Sequence, residues 1–266
     1  MARNLGDVAD YFLPRAGSPA PPRPARAAPP PAPASERPPA LPILAIPVGE
    51  RDVVRAAFAW NLAVELARLG ASAALLAPRD AEPSPVWPDS GPGPMDTEVV
   101  LTDARDLGAL GRVALDLAVA RAAECEVGFV LVRVPPEWLL GDGDARALLR
   151  WVLLFSAGEP RDLAETYALA KAVMTRHSDA RVGVTIHGAR RVALAEQAFR
   201  GLADATARHL GRSVVSYGLL VDDLHVYRGI VARRPIGLEH PQSAAARALR
   251  DVAQLLMEDA GRPGLA

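Results

Sequence analysis

From residue 43 onward the chain alternates short, continuously apolar runs with longer segments whose apolar positions recur every three to four residues. The first kind marks strands buried on both faces, the second amphipathic helices. LPILAIPV (41–48) reads as a buried strand and 53–69 as a helix stopped at Gly70. SAALLA (72–77) is a second strand, and the proline- and glycine-rich stretch 80–97 is a loop. EVVLT (98–102) is a short strand, followed by a helix over 107–123 and the apolar run VGFVLVRV (127–134). In 145–157, ARALLRWVLLFSA, a short helical stretch leads into a strand. A helix over 162–177, a strand over 180–187, a long amphipathic helix over 191–210 ending at Gly211 and a strand over 213–221 follow. A closing helix over 242–258 sets Ala246, Leu249, Val252, Ala253 and Leu256 on one face. This order predicts an α/β fold: a doubly wound, mostly parallel sheet with helices on both faces.

The segment ahead of residue 43 does not follow that pattern. Residues 17–42 are crowded with proline and alanine, a composition that stays extended and builds no core, so they read as a linker. Residues 1–16 carry Leu5, Val8 and Phe12 at helical spacing, with Tyr11 and Leu13 beside them. An apolar peptide on a proline tether suggests a docking motif; the competing reading is a frayed terminus. The expected organisation is a docking peptide (1–16), a linker (17–42), an α/β domain (43–260) and a short tail (261–266).

Composition narrows the chemistry. Half of the residues are apolar, enough for a substantial core, and the formal net charge is −1, which argues against a surface coated in nucleic acid. A lone cysteine, Cys125, excludes an internal disulfide and a cysteine-based zinc cage. The five histidines are scattered without metal-ligand spacing. No run approaches a membrane span and no apolar signal core is evident, so a cytoplasmic protein is expected. Lysine occurs once, at Lys171, and every other basic residue is arginine.

In an open α/β sheet the ligand crevice lies at the carboxyl ends of the strands. Residues 43–63, ILAIPVGERDVVRAAFAWNLA, have the strand, loop and helix of a phosphate-binding loop, without the glycines and the lysine that cradle phosphate. With this layout the chain resembles the MinD/ParA group of deviant-Walker ATPases, most closely the MinD and FlhG branch. That family carries GKGGVGK, then Ser or Thr, then Asn-Leu-Ala. The chain aligns without a gap as Gly49, Glu50, Arg51, Asp52, Val53, Val54, Arg55 and Ala56, then Asn61-Leu62-Ala63.

The resemblance implies what each change does. Glu50 puts a negative charge where a family lysine reaches a partner's nucleotide, and Arg55 replaces the lysine that bridges β- and γ-phosphates. Ala56 lacks the hydroxyl that holds Mg²⁺, and Arg51, Asp52 and Val54 obstruct the backbone approach that glycines allow. The positions of the water-orienting aspartate read Ala77-Pro78-Arg79, with Asp80 one place late. Arg133 stands where an acidic residue supports Mg²⁺, and His187 where an asparagine reads adenine. Scaffold segments match better: FSAGEPRDLAETYALAK (155–171), including Lys171, and the stretch from Tyr217 through Arg234-Pro235 into HPQSAAARALRDVAQLL. The resemblance covers roughly residues 43–258.

Two readings of the basic residues compete. Arg51, Arg55 and Arg133 could line a phosphate pocket, or pair with Glu50, Asp52 or Asp80 in a collapsed site. Arg190, Arg191, Arg200, Arg208 and Arg212 could form a DNA-holding strip, or a solvated face balanced by Glu196 and Asp204. The expectation is a pseudo-ATPase with no catalytic residue, metal site or working cofactor, acting as a scaffold or spatial regulator in polarity, motility or division. Its partners would be proteins, with no C-terminal membrane anchor, no DNA and no ATP-sandwiched dimer, and a partner would recruit it to a pole or membrane-associated complex. The alternatives are an ATPase switch rebuilt around Arg55 and a ParA-like DNA partition protein.

Overall fold

The computed structural model describes residues 39–49, 51–79, 90–141, 143 and 145–261. The candidate docking residues Leu5, Val8, Tyr11, Phe12 and Leu13, most of the linker, Glu50, Asp80 and residues 262–266 lie outside them. The described strands are β1 (Ile43–Pro47), β2 (Ser72–Pro78), β3 (Gly91–Pro92), β4 (Thr97–Thr102), β5 (Gly128–Val134), β6 (Trp151–Ser156), β7 (Arg181–Ala189) and β8 (Val215–Val221). They form one sheet in the order β3-β4-β2-β5-β1-β6-β7-β8, parallel throughout except for the β3–β4 pair. The doubly wound α/β prediction therefore holds. The crossover from β1 to β2, two places away, leaves room for β5 to enter between them, which opens a crevice at the carboxyl end of β1.

Helices α1 (Val53–Arg68), α2 (Leu107–Ala122), α3 (Pro136–Leu140), α4 (Arg146–Leu149), α5 (Pro160–Arg176), α6 (Val192–Leu210), α7 (Leu224–Ala232), α8 (Ile236–Glu239) and α9 (Ala244–Ala260) cover both faces. Every residue of β1, β2, β5 and β6 is buried, which explains their unbroken apolar runs. On one face Phe58, Leu62 and Leu66 of α1 meet Leu249, Val252 and Leu256 of α9 and Val226 of α7. On the other, Leu110 and Ala114 of α2, Leu169 and Val173 of α5, and Leu202 of α6 share a second core. The closing helix buries the stripe of apolar residues that its spacing predicted.

The structure departs from the sequence pattern in a few places. The loop over 80–97 contains β3, whose two residues pair antiparallel with β4. Gly93, just beyond β3, lies against α1: a Cβ there would stand 2.7 Å from the ring of Trp60. Helix α5 begins at Pro160 rather than at 162, because proline suits the first helical turn. Helices α3, α7 and α8 are too short, and too little apolar on a single face, to stand out by periodicity.

A polar network ties α9, the last described helix, to the amino ends of the strands. The indole N–H of Trp151 donates to Tyr217 Oη at 3.1 Å, and Tyr217 donates to Asp259 Oδ2 at 2.5 Å. Arg181, level with Trp151 in the sheet, pairs with the same carboxylate. Burial and the hydrogen bond to Asp259 push the Tyr217 hydroxyl far above the ordinary tyrosine range. Gly183 makes the ring's position possible, since a Cβ there would lie 2.2 Å from it.

Candidate functional site

The site is the turn between β1 and α1, at the carboxyl edge of the sheet. Val48 N–H donates to Val134 O at 3.0 Å, so the turn leaves β1 still tied to β5. Asp52 N–H then donates to Gly49 O at 3.1 Å, closing the turn. Asp52 is the N-cap of α1, and its carboxylate accepts from Arg55 N–H at 2.9 Å. A helix N-terminus offers free N–H groups and positive potential, which is what a phosphate-binding loop presents to its ligand. That offer is taken up by the chain's own Asp52.

Arg55 is 8% exposed and faces three carboxylates. Its Nε lies 3.3 Å from Asp52 Oδ2, its Nη2 2.5 Å from Asp162 Oδ1 and its Nη1 3.5 Å from Glu165 Oε1. Asp162, in the first turn of α5, is itself held: its Oδ2 accepts from Ser156 Oγ at 3.0 Å and from Ala157 N–H. A guanidinium with five fixed donors can serve several acceptors at once, which a lysine cannot do with the same geometry. Arg55 with these three acids carries a formal net charge of −2, which repels a phosphate. Of the collapsed-site partners expected from sequence, Asp52 is one. Asp162 and Glu165, 107 and 110 residues away, are not visible at short range in the sequence. The sequence shows a carboxylate pair at i and i+3 in the first turns of the helix after β6, but nothing in it places that helix beside the loop.

The remaining positions lie around this cluster. Arg51 is exposed, and Ala56 is buried in α1 with no side-chain oxygen to offer a cation. Ala77 is buried in β2, while Arg79 just beyond it pairs with Asp103 at 3.1 Å on the exposed surface. Arg133, in β5 beside Ile46, is 2% exposed, and its Nε lies 3.5 Å from Val48 O. His187, near the end of β7, packs its ring 5.4 Å from that of Phe58. Its Nε2 is buried without a hydrogen-bond partner. Burial and the positive charge of Arg55 hold His187 below the ordinary histidine range, against the opposing pull of Asp162 and Asp52. Among the described residues no group of three or more His, Cys, Asp or Glu is placed to hold a metal ion.

Of the arginines on and around α6, Arg190, Arg191 and Arg208 are exposed. Arg200 pairs with Glu196 at 3.4 Å, and Arg212 donates to the carbonyls of Met174, His177 and Ala180. Asn61, which the resemblance set in the helix after the loop, donates to Ala57 O at 2.7 Å and accepts from Ile236 N–H at 2.6 Å. It thereby clamps the Arg234-Pro235 turn to α1. That role is structural and independent of any nucleotide. Lys171 is exposed on α5.

No family model and no curated protein sequence matches the chain. Solved structures do. MinD of Pyrococcus horikoshii, a septum site-determining protein complexed with Mg-ADP, superposes with a TM-score of 0.59 at 15% identity, over 83% of this chain and 98% of that one. This is the MinD/ParA fold. MinD in the MinC:MinD cell division complex of Aquifex aeolicus gives a TM-score of 0.58 at 14% identity, over 82% and 96% of the two chains. A ParA family ATPase of Chlorobium tepidum gives 0.57 at 10% identity, over 82% and 99%. The MinD/ParA fold is thus kept almost end to end while the loop between β1 and α1 is filled by the chain's own charges.

Proposed function

We propose that this MinD/ParA-fold domain is a pseudo-ATPase that acts as a scaffold or spatial regulator through protein–protein contacts, in polarity, motility, flagellar placement or division. The observation that carries this reading is the occupation of the loop from within. The Asp52 carboxylate holds the N-terminus of α1, and Arg55 is committed to Asp52, Asp162 and Glu165. Mg²⁺-ATP does not fit these residues: its phosphates would meet Asp52, and Ala56 supplies no ligand for the cation. Without a nucleotide to bridge two copies, the protein does not form an ATP-sandwiched dimer, and its partners are other proteins.

Isothermal titration of the full chain with Mg²⁺-ATP and with ADP tests this. No binding is expected, and no rise in unfolding temperature at millimolar nucleotide, since any ligand that binds the native state stabilises it. Micromolar binding abolished by Arg55→Ala would overturn the proposal in favour of a rebuilt nucleotide switch.

A further inference from the structure

A small pocket lies between α1 and the turn that joins α7 to α8. Ala57 and Trp60 of α1 and Ile230 of α7 give it an apolar lining, and Arg233 and Arg234 border it. It has room for the tip of one side chain. Asn61, also in the lining, holds the far side of the turn through Ile236 N–H at 2.6 Å. Arg233 sits in this turn with φ 53° and ψ 38°, a left-handed position where glycine is usual. Such strain in a non-glycine residue gathers where a side chain has a task.

Helix α7 extends the surface beyond the pocket. It buries Val226 and Gly229 and leaves Tyr227 and Val231 50% and 85% exposed. These two lie one turn apart, at i and i+4, and Ile230, at i+3 from Tyr227, joins them to the pocket. Between 224 and 239 three arginines (Arg228, Arg233 and Arg234) stand against one acid, Glu239, a formal excess of +2. Arg234 takes Glu239 at 2.7 Å. Exposed Arg228 and Arg233 have no ion-pair partner among the described residues.

We propose that this pocket and the outer face of α7 bind a short acidic peptide of a partner protein. One apolar side chain enters between Trp60 and Ile230, and flanking carboxylates meet Arg233 and Arg228. This rests on the reading that the domain works through protein contacts, and it names the chemistry of one of them. The unmatched arginines call for acids, and the apolar lining calls for a side chain between them. One pocket and two exposed side chains present only a fraction of the roughly 800 Å² per partner of a stable domain interface, which suits a linear segment. A second copy placed face to face would bring Arg228 and Arg233 against their own counterparts.

Selection of a random short-peptide phage library on the full chain, followed by titration of the enriched sequences as synthetic peptides, tests it. The enriched peptides should share an apolar residue flanked by Asp or Glu, and alanine at that residue should weaken binding about tenfold. Val231→Asp should weaken it about fivefold, and so should Arg233→Gly. Arg233→Gly should also raise the unfolding temperature by about 2 °C, because glycine relieves the left-handed turn. Failure to enrich any peptide would overturn the proposal, as would peptides that bind both variants as tightly as the parent. Displacement of the peptides by polyglutamate would overturn it by reducing the site to a contact for any polyanion. A fall in unfolding temperature with Arg233→Gly would do so by assigning Arg233 to the fold, and self-association relieved by Val231→Asp by assigning the face to a second copy. None of these outcomes bears on nucleotide binding, which the titration with Mg²⁺-ATP decides separately.

Discussion

Replacing Arg55 with alanine removes the one cation shared by three carboxylates. The side chain of Arg55 is 10% exposed, that of Asp162 20%, of Asp52 28% and of Glu165 49%. The half-exposed Glu165 loses little, about 0.5 kcal/mol or less. Asp162 and Asp52 lose charge-assisted hydrogen bonds of about 1.5 kcal/mol each, and are left as uncompensated negative charges in a largely desolvated site. The expected loss is about 3 kcal/mol, or roughly 6–12 °C in unfolding temperature for a domain of this size. Urea unfolding followed by tryptophan fluorescence measures it, with the midpoint shifted and the slope unchanged. Arg55→Lys, a single point charge, should fall between. In a double-mutant cycle with Asp162→Ala the coupling should exceed about 1 kcal/mol. A loss below about 0.5 kcal/mol for Arg55→Ala, with no coupling to Asp162, would show that the cluster is solvated. The loop would then not be filled from within.

His187 titrates below its ordinary value of 6.5 in the folded state, so the native protein binds fewer protons than the unfolded chain. Its contribution is therefore present above pH 6.5 and is lost as pH falls from there through the folded value; His187→Gln should flatten that part of a stability–pH profile. Gly183→Ala forces a methyl into the Tyr217 ring and should cost about 3 kcal/mol, while costing far less in a Tyr217→Ala background, as chemical denaturation of the four variants would show. Asn61→Ala strands the N–H of Ile236, a residue 1% exposed, and should cost about 1–3 kcal/mol, with faster amide exchange at residues 234–237.

The layered architecture was legible because burial on both faces writes an unbroken apolar run into each central strand. Strand order was not, since β1, β5 and β6 have similar runs and nothing in a run states its neighbour. The loop's missing glycines and lysine could be read directly at Asp52, Arg55 and Ala56. What fills the loop could not, because Asp162 and Glu165 reach Arg55 only after α5 folds against β6 and β7. The same limit hid the clamp formed by Asn61: its partner, Ile236 N–H, is a backbone group that leaves no mark on composition. Helix α7 left no mark in the sequence because a nine-residue helix with apolar residues on two sides has no single periodic face.

The network joining Trp151, Arg181, Tyr217 and Asp259 has a consequence for synthesis. Helix α9 supplies both the carboxylate of that network and the apolar face that covers α1, the first described helix. Until α9 leaves the ribosome, Leu62 and Leu66 have no lid and the half-buried Arg181 lacks the Asp259 carboxylate. The earlier strands can collapse during translation, but the native packing of this face must wait for the last described helix. A nascent chain stalled before residue 244 should stay sensitive to protease and hold a chaperone, whereas one extended past residue 260 and clear of the exit tunnel should release it.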